Sequence, residues 1–472
     1  MGLNAERWRL VAASSDIEQD YPLGKKEIME VSHPNVLSRY ECFIPSSDYT
    51  DPEVGRRERA KLWPKVWQIA CREDEIPKVG DFVKYDIADE SIIIVRVAQD
   101  RIDAYYNACQ HRGRQLVESP RGNVARGFYC RYHGWRYKLN GALSHVHLRD
   151  DWPSCPAFTD GSLNLKRPRI DTWAGWVWVN MDENALSLAD YLGDDLRNNL
   201  RNLDIQDMRF DWYETLIVDV NWKVVVEAFN EGYHVTATHT TKYDYRALHN
   251  KGQAYGLHAC FRSSQGLSRY RDDDGEWKPT LGLADQLYRT SNALYSEINA
   301  LGSPPILHSL KRLRDELPVD APAEVVLPRM FELHRDELQA AGIVWPENLT
   351  LEDLLGAASD WHIFPNTILL PKIDGIIWYR MRPHPDDDQK CVFDIWSLRR
   401  FPPGEEPKVT QHISQNLEEF KGRNTFLEQD FSNLRGVQAG MRSRGWQGAF
   451  TNPSEELPIA HFHRMLRQYI HS

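Results

Sequence analysis

No run of eighteen consecutive apolar residues occurs anywhere in the chain, so no segment reads as a membrane-spanning helix. The opening residues, Met1-Gly2-Leu3-Asn4-Ala5-Glu6-Arg7, lack the apolar stretch of a signal peptide and the Ser or Thr expected beyond a myristoylated glycine. A cytoplasmic protein is the expectation. Basic runs interleaved with aromatics are also missing and the formal net charge is −11, which argues against nucleic acid as a partner. Cysteines number seven in 472 residues, and Cys42, Cys71, Cys155, Cys260 and Cys391 are scattered. That scatter suits reduced core thiols better than a disulfide framework. No G-x-G-x-x-G opens a βαβ unit, so a flavin or nicotinamide site is not expected. What remains is a soluble, globular composition, 42% hydrophobic and 26% charged, with length for two or three domains.

The other two cysteines lie in Ala108-Cys109-Gln110-His111-Arg112-Gly113 and Tyr129-Cys130-Arg131-Tyr132-His133-Gly134-Trp135. Each half supplies one thiolate and one imidazole, and eighteen residues separate His111 from Cys130. A zinc finger pairs Cys with Cys and His with His, whereas both halves here are mixed. A 2Fe-2S cluster with two Cys on one iron and two His on the other needs that supply; zinc, or four unrelated core residues, are the plainer readings. The motif resembles the Rieske pattern Cys-x-His followed by Cys-x-x-His-Gly-Trp. Strand-like stretches at 82–87, 91–97 and 104–107 predict a small β domain that presents both halves on loops. Gly113 and Gly134 are expected to let backbone N–H groups approach the cluster sulfurs. Arg131 reads as an ordinary solvated side chain.

A second constellation occupies 224–239, VVVEAFNEGYHVTATH. On a helix Glu231 and His234 share a face, but His234 and His239 would stand roughly 140° apart. The helix must therefore end or distort between them, which Gly232 and the Thr-rich 236–240 allow. Two such histidines are more often core or surface residues than ligands. A cluster upstream changes the balance, because it needs a centre to reduce, and two His plus a carboxylate is the usual site of an oxygen-activating non-haem iron. Glu227, Glu231 or a carboxylate near 426–430 remain as candidates for the third ligand.

Asn221-Trp222-Lys223, Glu227, Glu231-Gly232-Tyr233-His234 and His239 resemble the catalytic-domain signature of the Rieske non-haem iron aromatic ring-hydroxylating oxygenases, large (alpha) subunit. The resemblance extends over about residues 49–440. It implies an α+β fold in which a Rieske β-sandwich domain joins a helix-grip (START-like) antiparallel-sheet catalytic domain. The expected division is an N-terminal segment at 1–48 packing on the catalytic domain, a Rieske domain at 49–170 and a catalytic domain at 171–472. By resemblance Cys109, His111, Cys130 and His133 hold the 2Fe-2S cluster. His234, His239 and Asp430, eight residues before Gln438, hold a mononuclear Fe(II). Glu231 takes the position of the carboxylate that bridges to a Rieske histidine of the neighbouring subunit, which requires a ring, a homotrimer or α3β3. Many members have Asp there. Ala228 replaces a common Asn, and Arg131 a common Pro.

The implied activity is that of a terminal oxygenase fed by a separate reductase, with or without a ferredoxin. It would insert O2-derived oxygen into an aromatic or other hydrophobic small molecule. Ring cis-dihydroxylation is the first reading; monooxygenation, including oxidative demethylation or attack on a quaternary amine, is the second, and Glu231 leans toward it. A non-catalytic Rieske electron carrier is the reading from another class. Phe229, Val235, Phe364 and Asn366 are expected to line a substrate pocket. For the remainder, 173–180 reads as one strand, 240–345 as mostly helical or irregular, and 409–441 as one closing helix. The last thirty residues, with His461 and His463, read as a surface tail.

Overall fold

Alternating apolar residues build two small antiparallel sheets in the first third of the chain. The computed structural model describes residues 42–239 and 243–471. One small sheet runs Arg101–Tyr106, Glu90–Ala98, Asp81–Ile87, Arg121–Asn123; the other runs Phe128–Tyr129, Arg136–Tyr137, Leu143–His145. Ile93, Val95, Tyr105, Phe128 and Trp135 form a shared core that also takes in Cys109 and Cys130. The two cysteines are thus set by packing as well as by their loops.

Residues 173–180 do not form one strand. Ala174 and Gly175 adopt φ of 55° and 77°, and the chain reverses there into a hairpin of Arg169–Trp173 with Trp176–Asn180, joined by Gln68–Arg72. Trp176 meets Trp396 at 4.6 Å and Trp378 at 5.4 Å, so buried indoles fasten this hairpin to the large sheet. Such tilted aromatic pairs contribute about 0.5–1.5 kcal/mol beyond their buried area.

The large sheet has the order Leu248–Tyr255, His258–Gln265, Asp360–Ile363, Thr367–Pro371, Gly375–His384, Asp387–Arg399, Arg209–Val218, His412–Ser414. Neighbours are antiparallel except the last pair, which is parallel. Ile368, Ile377, Tyr379, Met381 and Phe393 face the helices Trp222–Phe229, Thr425–Met441 and Leu457–His471 in one core. Trp361, Ile363, Leu369, Trp378 and Trp396 face Leu188–Leu200, Pro304–Glu316 and Ala323–Ala340 in a second. The α+β architecture, small Rieske-type sheets beside a sheet gripping helices, is the expected one.

Several local expectations are corrected. The stretch 243–345 is largely helical as expected, with Leu283–Ile298, Pro304–Glu316 and Ala323–Ala340, but it also contains the strands Leu248–Tyr255 and His258–Gln265, whose polar composition hides them. The closing helix is only Thr425–Met441, preceded by the short strand His412–Ser414. The surface tail is instead the helix Leu457–His471, because Ile459, Phe462, Leu466 and Ile470 recur at helical spacing and pack into the core. Of the N-terminal segment 1–48, residues 1–41 lie outside the described residues, and Phe43–Pro45 pairs with Gly448–Phe450. Asp51 caps the helix Pro52–Arg57, accepting from the Glu53 N–H with Pro52 at the first position. That helix continues as a π-helical turn, Glu58–Leu62, that presents Glu58 to Lys223 at 2.6 Å, both side chains being buried. Among the described residues no helix is long and apolar enough to cross a membrane.

Candidate metal centres

The Cys-x-His loop follows the strand Arg101–Tyr106, and the Cys-x-x-His loop joins Phe128–Tyr129 to Arg136–Tyr137. Both loops close in the same way. The Gly113 N–H donates to the Cys109 carbonyl at 2.9 Å and the Gly134 N–H to the Cys130 carbonyl at 3.0 Å. In return the Cys109 N–H donates to the Arg114 carbonyl and the Cys130 N–H to the Trp135 carbonyl. The glycines are needed for φ of 73° and 75°, a left-handed conformation costly for other residues. Their N–H groups close these two turns.

The loops bring the rings of His111 and His133 to 4.5 Å, and His111 stacks on Trp135 at 4.9 Å. Nδ1 of each histidine is buried and has no hydrogen-bond partner. Two buried thiols and two unpartnered imidazole nitrogens, supplied by these two loops, fit an iron–sulfur cluster, which would complete all four. Burial, and then the charges of His133 and Arg112, hold the His111 pKa below its ordinary value, which favours the neutral, ligating imidazole. Tyr137 is an addition that the sequence did not disclose. Its oxygen accepts from the Gln110 N–H at 3.0 Å and lies 3.3 Å from Cys109 Sγ. With the oxygen already accepting an amide proton, the phenol hydrogen is free to point at the sulfur.

In the second site the helix Trp222–Phe229 ends at Asn230, before His234, and a short turn Val235–Thr238 carries the chain between the two histidines. The break therefore falls earlier than the spacing suggested. Glu231 is nevertheless beside His234, with Oε1 at 2.5 Å from Nδ1 and Oε2 accepting the His234 N–H at 3.0 Å. His239 Nδ1 donates to Gln429 Oε1 at 2.8 Å, and its ring stacks on Phe426 at 3.5 Å. Holding Nδ1 on each ring turns both Nε2 atoms inward, toward one carboxylate. Asp430 Oδ1 lies 3.3 Å from His234 Nε2 and 3.0 Å from His239 Nε2.

The ligand atoms of His234, His239 and Asp430 all lie within 4.8 Å of one another. His239 Nε2 and Asp430 Oδ1 are buried and meet as an ion-pair contact at 3.0 Å, with no further hydrogen-bond partner on either atom. Two imidazoles and a carboxylate, oriented by partners on their far sides, suit a divalent iron with open positions. Burial works against a charged His234, but the adjacent Asp430 and Glu231 carboxylates outweigh it and raise its pKa to about 10. Asp430 is raised by burial, yet the bonds from His234 and His239 bring it below its ordinary value. The site attracts positive charge. Glu227, the other near carboxylate, points elsewhere, to His463 Nε2 at 2.6 Å.

Of the four expected pocket residues, Phe229 packs on Tyr379 and Phe393 at 4.9 and 5.0 Å. Val235 lies against the cluster of Tyr243, Tyr245 and Ala293. Phe364 stacks on Tyr469 of the last helix at 5.5 Å. Asn366 is buried, donating Nδ2 to the Met381 carbonyl at 2.8 Å while Oδ1 has no partner.

Comparison with known families matches residues 66–156 to the Rieske [2Fe-2S] domain and residues 205–472 to the catalytic domain of the ring hydroxylating alpha subunit. The chain belongs to the ring-hydroxylating alpha-subunit family. This alpha subunit carries a Rieske 2Fe-2S domain and a His-His-Asp site of the kind that holds mononuclear iron. Among its relatives, the 2-aminobenzenesulfonate 2,3-dioxygenase subunit alpha of Alcaligenes sp is 33% identical over 203 residues, 42% of this chain and 50% of that protein. The anthranilate 1,2-dioxygenase large subunit of Acinetobacter baylyi is 32% identical, covering 48% and 49%. The carnitine monooxygenase oxygenase subunit of Escherichia coli K12 is 32% identical, covering 42% and 52%. The matches thus span about half the length of these curated relatives. Two solved structures share the alpha-subunit fold at 18% identity. The quaternary ammonium Rieske monooxygenase CntA with L-carnitine gives a TM-score of 0.60 over 92% of this chain and 97% of that one. Naphthalene 1,2-dioxygenase with indole gives 0.61 over 91% and 92%.

Proposed function

We propose that this alpha subunit is the terminal oxygenase component of a multicomponent Rieske system. In this reading Cys109, His111, Cys130 and His133, within a domain spanning 49–170, hold the 2Fe-2S cluster. His234, His239 and Asp430, within a domain spanning 171–472, hold Fe(II). The observation that carries the reading is the pair of convergent sites: His111 Nδ1 and His133 Nδ1 are buried without partners, and the ligand atoms of His234, His239 and Asp430 lie within 4.8 Å of one another. When bound, the two centres supply electron transfer and oxygen activation.

The chain's own residues then have defined tasks. Tyr137 directs its hydroxyl at Cys109 Sγ, and Glu231 and Gln429 fix the two histidine rings. Glu231 is also our candidate for the electron bridge to a neighbouring subunit in a homotrimer or α3β3 ring. Phe229, Val235, Phe364 and Asn366 are the candidate pocket. Electrons come from a separate reductase, with or without a ferredoxin, in the cytoplasm.

The substrate is an aromatic or other hydrophobic small molecule, and ring cis-dihydroxylation is the reaction we take first. Relatives named as dioxygenases of 2-aminobenzenesulfonate and anthranilate support it. Monooxygenation is the second reading, supported by a relative named for carnitine and by the Glu rather than Asp beside His234. A carrier-only role would need His234 and His239 to be structural; their convergence on Asp430 speaks against that. Labelled oxygen separates the reactions. A cis-diol with two labelled atoms supports dihydroxylation, a product with one supports monooxygenation, and no oxygen uptake with a competent donor sinks both.

A further inference from the structure

Asp360, the first residue of the strand Asp360–Ile363, is 1% exposed, and neither carboxyl oxygen has a hydrogen-bond partner. Leaving such a group unsatisfied costs about 1–3 kcal/mol, so its retention calls for an explanation. Burial drives its pKa well above the ordinary carboxyl range, and the like charge of Glu231 drives it further. A structural carboxylate would be expected to answer to a cation or to backbone N–H groups. The charge that acts on Asp360 has instead its own sign.

Strand alternation tells which way it faces. Asp360 shares a face with His362, whose ring meets Phe462 of the last helix at 5.3 Å. His362 pairs with Ile368 and Ile368 with Tyr379, and Tyr379 packs on Phe229 of the helix leading to the histidines. Asp360 is therefore on the metal side of the sheet. Tyr379 is raised first by burial and then by the charges of Asp430 and Asp360, which puts it within electrostatic reach of both. The loop before His234 covers the same strands: a Cβ on Gly232 would come 2.4 Å from Asn250 Nδ2. Asn250 pairs with Ser263, two residues beyond Phe261, the cross-strand partner of Asp360. In that loop Asn230 is fully buried, and both its amide atoms also lack partners.

We infer that Asp360, assisted by Asn230, is the polar anchor of the substrate site and selects a substrate that carries a positively charged nitrogen. This deepens the oxygenase reading and rests on it. A cation would satisfy the Asp360 oxygens and relieve the repulsion from Glu231, and the rings of Tyr379 and Phe229 offer it π faces.

The test is anaerobic calorimetry on metal-loaded enzyme with matched pairs, choline against 3,3-dimethylbutan-1-ol and benzyltrimethylammonium against neopentylbenzene. Wild type should bind at least one cation about tenfold or more tighter than its carbon isostere. Asp360→Asn and Asp360→Leu should abolish that preference and leave the isostere's affinity within about twofold. Both variants should keep their iron and melt no lower than wild type, since an unsatisfied buried carboxyl has been removed. The inference is overturned if no cation is preferred, if the preference survives in Asp360→Asn, or if the variants melt lower, which would make Asp360 structural. Binding is read without turnover. Cation preference with no oxygen uptake would sink the oxygenase reading and spare the anchor; oxygen insertion into neutral aromatics with no preference would do the reverse.

Discussion

Replacing Glu231 by Gln and, separately, Glu227 by Gln distinguishes two carboxylates that stand four residues apart in the sequence. Glu231 holds His234 twice, through Nδ1 at 2.5 Å and the backbone N–H at 3.0 Å. The amide keeps the shape but loses the charge that orients the ring and strengthens it as a ligand. Loss of such a partner weakens metal binding about 10- to 100-fold, or about 1.4–2.7 kcal/mol. Glu227 instead holds the fully buried His463 at 2.6 Å. Its amide variant should lose about 1.5–3 kcal/mol of folding stability, the scale of a hydrogen bond to a charged group, with iron affinity unchanged. Competition for Fe(II) against an optical chelator, paired with urea midpoints on the same preparations, reads both quantities. With iron in excess, Glu231→Gln should retain both metals and slow single-turnover electron transfer. Wild-type affinity and rates in Glu231→Gln, or equal loss of iron from both variants, would refute the assignment.

Tyr137→Phe removes the hydroxyl that faces Cys109 Sγ at 3.3 Å; hydrogen bonds to cluster sulfur raise the potential, so redox titration should show a more negative midpoint, and an unchanged one would exclude the bond. Acid should destabilise the fold through histidines buried in the neutral form: burial lowers His258, His334 and His461 to about 4 and His362 to about 3. Folded values below the unfolded one mean that their stabilisation is fully present above about pH 6.5 and is lost as pH falls toward 4, on the order of 3 kcal/mol each at the acid end. Urea midpoints that stay level from pH 7 to pH 5 would contradict this.

The sequence disclosed the Rieske half most completely, because its four candidate ligands sit in two short loops and carry their own spacing. His234 and His239 were legible for the same reason. Asp430 is singled out from the other carboxylates only through resemblance, since its neighbour Gln429 lies 190 positions beyond His239 and no local pattern marks the pair. The partners that orient the ligands, Gln429, Phe426 and Tyr137, come from distant strands and helices and leave no local signal. Residues Leu457–His471 misread as a tail because His461, His463 and Arg464 interrupt an apolar face; burial of His463 depends on Glu227 and Asp48, from two remote elements. The helix break before His234 falls at Asn230, which ends the helix, whereas local propensity alone favours Gly232 and the threonines beyond it. Asp360 gave no sign at all, since an acid at the head of a strand is ordinary until its burial is known.

The most direct test of two metal centres in one chain is iron and acid-labile sulfide per chain in anaerobically purified protein, with an EPR spectrum of the reduced sample. The account predicts about three irons and two sulfides with a Rieske-type signal. Two irons and two sulfides, unchanged after ferrous iron is added, would contradict it by removing the His234, His239 and Asp430 centre.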